Sequence, residues 1–416
     1  MKITKSKKEK IFPLLKELEN KQLIECKKYK FDINNDIQQA KHVDSPFIRF
    51  VCWLITGKCN LKCKHCYMRT SYFYNYEPTL KDALYIIKQL YDANVLSVVI
   101  TGGELFTYKY LVNILEKLIE YNIRIKGINT NASLITHDKI VALKKLTKDY
   151  LEPININISL DRLKFHDNFR GIKNLHKKIL IVVKELVNYG FKVNINTCVT
   201  RSNIHELLKL YEILKELKIY SWRLDKPRDI GMWIFYRKSL EASLDQILHF
   251  YYIILEKWQN DGKPFHLSIT NMYRDALCDV PDLELGEFRI KYNDNDFACG
   301  YFRHACAILS NGDVLPCQAL WNLSECRIGN VFKNDLKELW GCRNMRYWKN
   351  LNIGYLKGLP QNKHCRNCPY TNYCNLGCRA EAYATYKDAF AHDPYCCFLT
   401  KYRINVLEKL GMKNHV

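Results

Sequence analysis

The chain has no run approaching the roughly 20 consecutive apolar residues that a membrane-spanning helix needs. Its basic start, M-K-I-T-K-S-K-K-E-K, leads into no long apolar segment, so no secretory signal is legible. Both absences predict a soluble, cytoplasmic protein with no membrane partner. Acidic side chains are the minority, 43 Asp and Glu against 64 Lys and Arg, for a formal net charge of +21. Yet the basic residues form no clustered arm. They scatter over helical faces in a chain rich in Lys, Asn, Ile and Tyr, which argues against nucleic acid as the natural partner. Disorder is excluded as well, because hydrophobic residues make up 48%. The 416 residues suffice for one large domain and one or two smaller ones.

Cysteine is what the chain has in abundance, eighteen in all. Without a secretion signal, thiols in such number read as metal-binding or catalytic rather than disulfide-bonded. The stretch Thr56–Met68, T-G-K-C-N-L-K-C-K-H-C-Y-M, sets Cys59, Cys63 and Cys66 three and then two residues apart. Neighbouring thiols on so tight a loop cannot all meet disulfide geometry. They suit one corner of an inorganic cluster. Four thiolates normally hold a [4Fe-4S] cluster, so a local set of three leaves one iron open to another ligand. The alternative is a zinc knuckle, with His65 available as a fourth ligand.

From Phe50 the chain alternates strand and helix signals. Strands are expected at Phe50–Ile55, Ser97–Ile100, Ile123–Asn129, Ile154–Leu160, Phe191–Val199 and Ser221–Leu224. Helices are expected at Thr79–Ala93, Tyr110–Tyr121, Thr136–Leu146, Ile172–Tyr189 and Ile204–Leu217, then from about Leu240 to Trp258. Repeated β/α units with right-handed crossovers predict an α/β fold, a partial (β/α)6 TIM-like barrel with its chemistry at the C-terminal strand ends. Four stretches sit at such ends: Thr101–Glu104 (T-G-G-E), Asn129–Asn131, Ser159–Asp161 with Arg170-Gly171 after it, and Asn196-Thr197. A Gly-Gly pair permits close backbone approach, though it is also ordinary turn chemistry. Residues 226–290 carry no legible chemistry.

The C-terminal part is a second cysteine field. Cys299 and Cys317 bracket an N-G-D turn, the mark of a β-hairpin. Cys365, Cys368, Cys374 and Cys378 follow as C-x2-C-x5-C-x3-C, then Cys396 and Cys397 after Asp393-Pro394-Tyr395. Two structural zinc sites are the alternative here. Cys26, Cys52, Cys198, Cys326 and Cys342 read as ordinary buried thiols.

Together these motifs resemble the radical S-adenosylmethionine (SAM) superfamily with a C-terminal SPASM extension, of the peptide- and protein-maturase type, over roughly residues 50–400. The resemblance implies that Cys59, Cys63 and Cys66 hold a catalytic [4Fe-4S] cluster. SAM would be cleaved there to a 5′-deoxyadenosyl radical that abstracts a substrate hydrogen. It implies SAM contacts at Gly102, Gly103 and Glu104 (amino group), Asn131, Ser159 and Asp161 (ribose or carboxylate) and Arg170 (carboxylate). It implies two auxiliary clusters, one on Cys365, Cys368, Cys374 and Cys396, with Cys397 competing for the last place. The other would sit on Cys299, Cys317 and Cys378, its fourth ligand being Cys306, Cys278 or none. The implied partners are a precursor peptide or protein substrate and an electron donor such as flavodoxin or ferredoxin. A haem precursor or sugar is the alternative substrate, and a metal-stabilised nucleic-acid-binding protein the alternative of another class. The organisation expected is 1–49, a helical segment (Ile11, Leu14, Leu15 and Leu18 on one face) that is either a remnant leader-peptide module or a helix packed on the barrel; 50–230, the core; 231–290, linker helices; 291–400, the auxiliary-cluster domain; and 401–416, a tail.

Overall fold

The computed structural model describes residues 47–409 apart from 72, 162–164, 271–272, 275–291 and 322. The expected N-terminal helix, Cys26 and Cys278 lie outside the described residues.

Strand β1 (Phe50–Leu54) reads F-V-C-W-L, and β2 (Ser97–Thr101), which follows helix α1 (Leu80–Asp92), reads S-V-V-I-T. Every residue of both strands is buried, as strands covered on two faces require. α1 starts where the Thr79 hydroxyl accepts from the Asp82 amide and Asp82 reciprocates, a capping box. The units continue with α2 (Leu111–Glu120), β3 (Arg124–Thr130), α3 (His137–Leu146), β4 (Asn155–Ser159), a short α4 (Phe165–Arg170), α5 (Leu175–Asn188), β5 (Lys192–Cys198), α6 (Leu207–Glu216) and β6 (Ser221–Asp225). All six strands pair in parallel with their sequence neighbours, as the alternation predicts.

Alternation along β4 sorts two kinds of side chain. Ile156 and Ile158 point one way. Asn155, Asn157 and Ser159 point the other, where a polar ladder crosses the sheet. Asn157 donates to Asn129 at 2.7 Å, Asn194 to Asn155 at 3.1 Å, and Ser221 to the Asn194 oxygen at 2.5 Å. Buried amides of this kind are stable only when paired. They leave the inner face polar near the strand ends.

Beyond β6 the structure departs from expectation. The helix expected from about Leu240 to Trp258 is α8 (Leu244–Asn260), and a further helix, α7 (Trp233–Leu240), precedes it. The break is a second capping box, with Ser243 accepting from the Gln246 amide at 3.2 Å and Gln246 from the Ser243 amide at 3.0 Å. A seventh strand, β7 (His266–Ile269), pairs in parallel with β6, and β8 (Tyr273–Arg274) turns back on it.

The C-terminal hairpin forms around Asn311-Gly312, with Gly312 at φ +83°, but it does not stand alone. A short α9 (Tyr301–His304) leads into β9 (Ala305–Ile308), which lies parallel to β1 with Phe50 opposite Ala305 and Trp53 opposite Ile308. β10 (Asp313–Leu315) and β11 (Gly329–Asn330) complete one eleven-stranded sheet, ordered β11-β10-β9-β1-β2-β3-β4-β5-β6-β7-β8. The cysteine field is thus fastened to the first barrel strand. Helices α10 (Leu336–Gly341), α11 (Arg343–Lys349), α12 (Ile353–Gly358), α13 (Arg379–Tyr386) and α14 (Pro394–Lys409) carry the rest. Among the described residues, no helix is long and apolar enough to cross a membrane.

Candidate active site and iron–sulfur centres

The loop after β1 is braced from three sides. The Gly103 amide donates to the Thr56 carbonyl at 2.9 Å, and the Glu104 amide to that of Lys58 at 2.8 Å. The Lys64 amide donates to Phe169 at 3.0 Å, and the Met232 amide to the Cys66 carbonyl at 2.9 Å. The two glycines of T-G-G-E exist for this contact. A Cβ on Gly103 would lie 2.1 Å from the Lys58 oxygen, and one on Gly102 2.7 Å from the Thr56 oxygen. With the Gly103 amide committed, what that residue's backbone has left to offer the cavity is its carbonyl oxygen.

That cavity has a volume of about 220 Å³. Cys59, Cys63 and Cys66 line it together with Gly102, Gly103, Asn129, Asn131, Asn157, Ser159, Arg170 and Asn196. Two expected contacts lie behind the wall. The Glu104 carboxylate is buried and accepts from Thr130 Oγ1 and the Asn131 amide, both at 2.7 Å, and from the Phe106 amide at 3.2 Å. It locks the ends of β2 and β3. Asp161 accepts from Arg170 Nε at 2.8 Å and from the Cys198 amide at 2.9 Å. Burial opposes its charge, but Arg170 together with His166 and His65 outweighs this and holds the carboxyl well below the usual range. Thr197 is buried away from the cavity, donating to the Leu160 carbonyl at 2.6 Å, because adjacent strand residues cannot share Asn196's face.

Asn157 is the cavity residue that sequence reasoning missed. Its Oδ1 is buried with no hydrogen-bond partner, an acceptor left open toward a ligand. The I-N-I-N-I-S alternation held the signal, since it puts Asn157 on the face of Ser159.

Burial pushes the Cys59 thiol up to about 12 and raises Cys63 and Cys66 too. Three protonated, sequestered sulfurs are what a cluster site shows before metal displaces its protons. The zinc alternative meets two obstacles. Tetrahedral zinc would set its sulfurs about 3.8 Å apart, whereas the only described His/Cys/Asp/Glu trio with ligand atoms within 4.8 Å of one another is His364, Cys365 and His392. And the His65 ring, which lines the same cavity, is held flat against Phe169, ring centroids 4.4 Å apart. The wide sulfur spacing and the orphaned Asn157 acceptor fit a cluster plus an organic ligand.

The C-terminal cysteines form two sets. Cys299, Cys317 and Cys378 act on one another electrostatically; burial first and Cys378 second push Cys299 up to about 11. Cys306 is not with them. It is buried on β9 opposite Val51, and burial pushes its thiol up to about 12 with only Lys349 opposing. Cys365, Cys368, Cys374 and Cys397 line a second, small cavity with His392, Asp393 and Thr400. Cys396, the expected fourth member, instead packs against Gly377, with Thr400 Oγ1 at 3.8 Å and Cys374 Sγ at 3.9 Å. Of the two competing cysteines after the Asp-Pro turn, Cys397 lines this cavity.

The first and second cysteine sets meet through the barrel. Tyr67, next to Cys66, stacks on Trp321 with centroids 4.1 Å apart, and Trp321 lies four residues beyond Cys317.

Comparison with known proteins agrees with this geometry. The family profile of the Radical SAM superfamily matches residues 53–214, and that of the SPASM iron–sulfur cluster-binding domain matches 299–369. The AdoMet-dependent heme synthase of Methanosarcina barkeri is 26% identical over 356 residues, covering 84% of this chain and 96% of that protein. The subtilosin biosynthesis protein AlbA of Bacillus subtilis is 23% identical over 380 residues, covering 88% and 75%. The solved structure of Streptococcus suis SuiB bound to its precursor peptide SuiA has the same fold, with TM-score 0.64, 21% identity and coverage of 94% of this chain and 88% of that one. The protein is therefore an iron–sulfur enzyme built on a parallel barrel. It carries a radical SAM superfamily domain and a SPASM domain, which together imply a [4Fe-4S] cluster with SAM, and auxiliary clusters.

Proposed function

We propose that Cys59, Cys63 and Cys66 hold the SAM-binding cluster, that Cys299, Cys317 and Cys378 hold one auxiliary cluster and Cys365, Cys368, Cys374 and Cys397 the other, and that the enzyme acts on a carboxylate-bearing tetrapyrrole. When bound, the cluster and SAM supply a 5′-deoxyadenosyl radical that takes a hydrogen atom from the substrate. The chain's own part is binding, orientation and exclusion of water. The Gly102 and Gly103 carbonyls receive the SAM amino group, and Asn131, Asn157 and Ser159 its remaining polar atoms. Glu104 and Asp161 act one step back, as positioning residues that fix β3 and Arg170. The shared cavity of the three cysteines, the glycine pair and the polar inner wall carries this reading.

The substrate class rests on the near end-to-end match to a heme synthase, 96% of that relative's length. The net charge of +21 favours anionic substrates and an acidic electron donor such as flavodoxin or ferredoxin. A ribosomal precursor peptide is the second reading, favoured by the match to AlbA. The test is anaerobic turnover of the cluster-loaded protein with SAM and dithionite. An iron tetrapyrrole bearing propionates should raise 5′-deoxyadenosine formation and emerge changed in mass. A peptide from a neighbouring short reading frame doing so instead would establish the second reading.

A further inference from the structure

The segment after β6, residues 226–232, touches both cysteine sets. At one end it is clamped to the catalytic loop. Gly231, at φ +62°, lies so near that a Cβ would stand 2.4 Å from Tyr67 Cα and 2.6 Å from the Cys66 oxygen. Three residues earlier, within about 10 Å of extended chain, Arg228 faces the other set. Its Nε forms an ion pair with Glu381 Oε1 at 2.7 Å. Glu381 stands three residues after Cys378 on the first turn of α13. Burial works against the Arg228 charge, but Cys378, Glu381, Asp225 and Cys317, in that order, outweigh it and keep the guanidinium firmly protonated.

The guanidinium is incompletely used. It carries five N–H donors in a planar fork, and its one ion-pair partner among the described residues is Glu381. The side chain remains 32% exposed. Of the other carboxylates nearby, Asp229 pairs through Oδ2 with Arg237 at 2.7 Å. Asp225 accepts from Thr270 Oγ1 and pairs with Arg223 at 2.8 Å. Glu381 thus aims the fork without filling it. Paired Nη groups at a fixed angle match a carboxylate by two parallel hydrogen bonds.

We propose that Arg228, aimed by Glu381, is the specificity residue that grips a carboxylate of the substrate between the Cys66 loop and the Cys299/Cys317/Cys378 set. This rests on the radical SAM reading above and narrows its substrate to molecules with an acid group near the reacting position. A tetrapyrrole propionate and an acidic peptide side chain share that chemistry.

The test is equilibrium binding to the cluster-loaded protein, followed spectroscopically. One probe is a propionate-bearing iron porphyrin, compared with its methyl ester; the other is a short Asp/Glu peptide, compared with its Asn/Gln counterpart. The acid form of one probe should bind wild type at least about tenfold more tightly than its neutral form, the scale of a charged hydrogen bond. Which pair shows the preference identifies the source. Arg228→Gln should abolish the preference, and Arg228→Lys, keeping charge but losing the fork, should restore part of it. The neutral-probe comparison needs only wild type, so a poorly folding variant does not blunt the test. Equal binding of acid and neutral forms, or no binding of either acid probe, overturns the proposal. Formation of 5′-deoxyadenosine by wild type in the same preparation reports separately on the radical SAM reading.

Discussion

Arg170 Nε donates to Asp161 Oδ2 at 2.8 Å, in a pair whose side chains are 8% and 0% exposed. The same guanidinium sets Nη1 3.9 Å from Cys63 Sγ. One ion pair thus ties the end of β4 to the middle cysteine of the catalytic loop. Removing one member of a buried pair strands the other's charge, at a cost of about 3–5 kcal/mol. Asp161→Ala should lower the unfolding free energy by that amount, read as a lower denaturation midpoint. Asp161→Asn, which can still accept from the Cys198 amide, should cost less. A wild-type midpoint for Asp161→Ala would show that the pair does not hold the loop.

Gly103→Ala places a methyl group 2.1 Å from the Lys58 oxygen and 2.9 Å from Cys59 Cβ. Backbone so close cannot step aside without moving the cysteine loop. The variant should lose 5′-deoxyadenosine formation and about one cluster's worth of iron, as the triple replacement of Cys59, Cys63 and Cys66 by Ala should, while the auxiliary iron stays. Gly358→Ala, with nothing within 4 Å of its added carbon, is the control. Iron counting and product chromatography read both; an active, iron-replete Gly103→Ala would refute the bracing role.

The six barrel strands were legible because strands buried on both faces write continuous or alternating apolar runs, as in F-V-C-W-L and I-N-I-N-I. That Cys59, Cys63 and Cys66 share one cavity was legible because the three thiols fall within eight residues. What failed depends on distant packing. That β9 pairs with β1 is a contact across some 250 residues, unwritten in either strand. Arg228 sits in a segment without periodicity and gains meaning only from Glu381 and Cys378 far along the chain. The choice between Cys396 and Cys397 turns on which way one turn of α14 faces. The start of α8 at Ser243 was readable to within a few residues, since S-L-D-Q is a capping box.

His166 is fully buried and accepts the Asp161 amide at Nδ1, 3.1 Å away, which puts its proton on Nε2. Burial lowers its pKa. Below about pH 6.5 the unfolded chain takes up a proton at this site that the folded chain refuses. Stability should therefore be full above that pH and decline as pH falls beneath it. Melting temperatures of wild type and His166→Gln across about pH 5 to 8 isolate the term. Parallel acid limbs in the two proteins would show that His166 is not its source.

Burial without cysteine neighbours predicts that Cys306 is a packing residue, and Cys306→Ala should cost about 1 kcal/mol and leave the iron intact. The adjacent pair Cys396 and Cys397 separates the same two roles. Cys397 lines the cavity with Cys365, Cys368 and Cys374, and the thiols of Cys374 and Cys368 act on it. Cys396 is held by Thr400 and packs against Gly377, and its 3.9 Å contact with Cys374 lets it donate, drawing the Cys374 thiol down and its own up. A sulfur that hydrogen-bonds a ligand tunes a cluster; one that faces the cavity holds it. Cys397→Ser should lower the iron count and change the Mössbauer spectrum of one cluster. Cys396→Ser should keep the iron while shifting that cluster's reduction potential. Retained iron in Cys397→Ser with loss in Cys396→Ser would reverse the assignment, and would mean that metal binding turns α14 through roughly the angle between adjacent residues, about 100°.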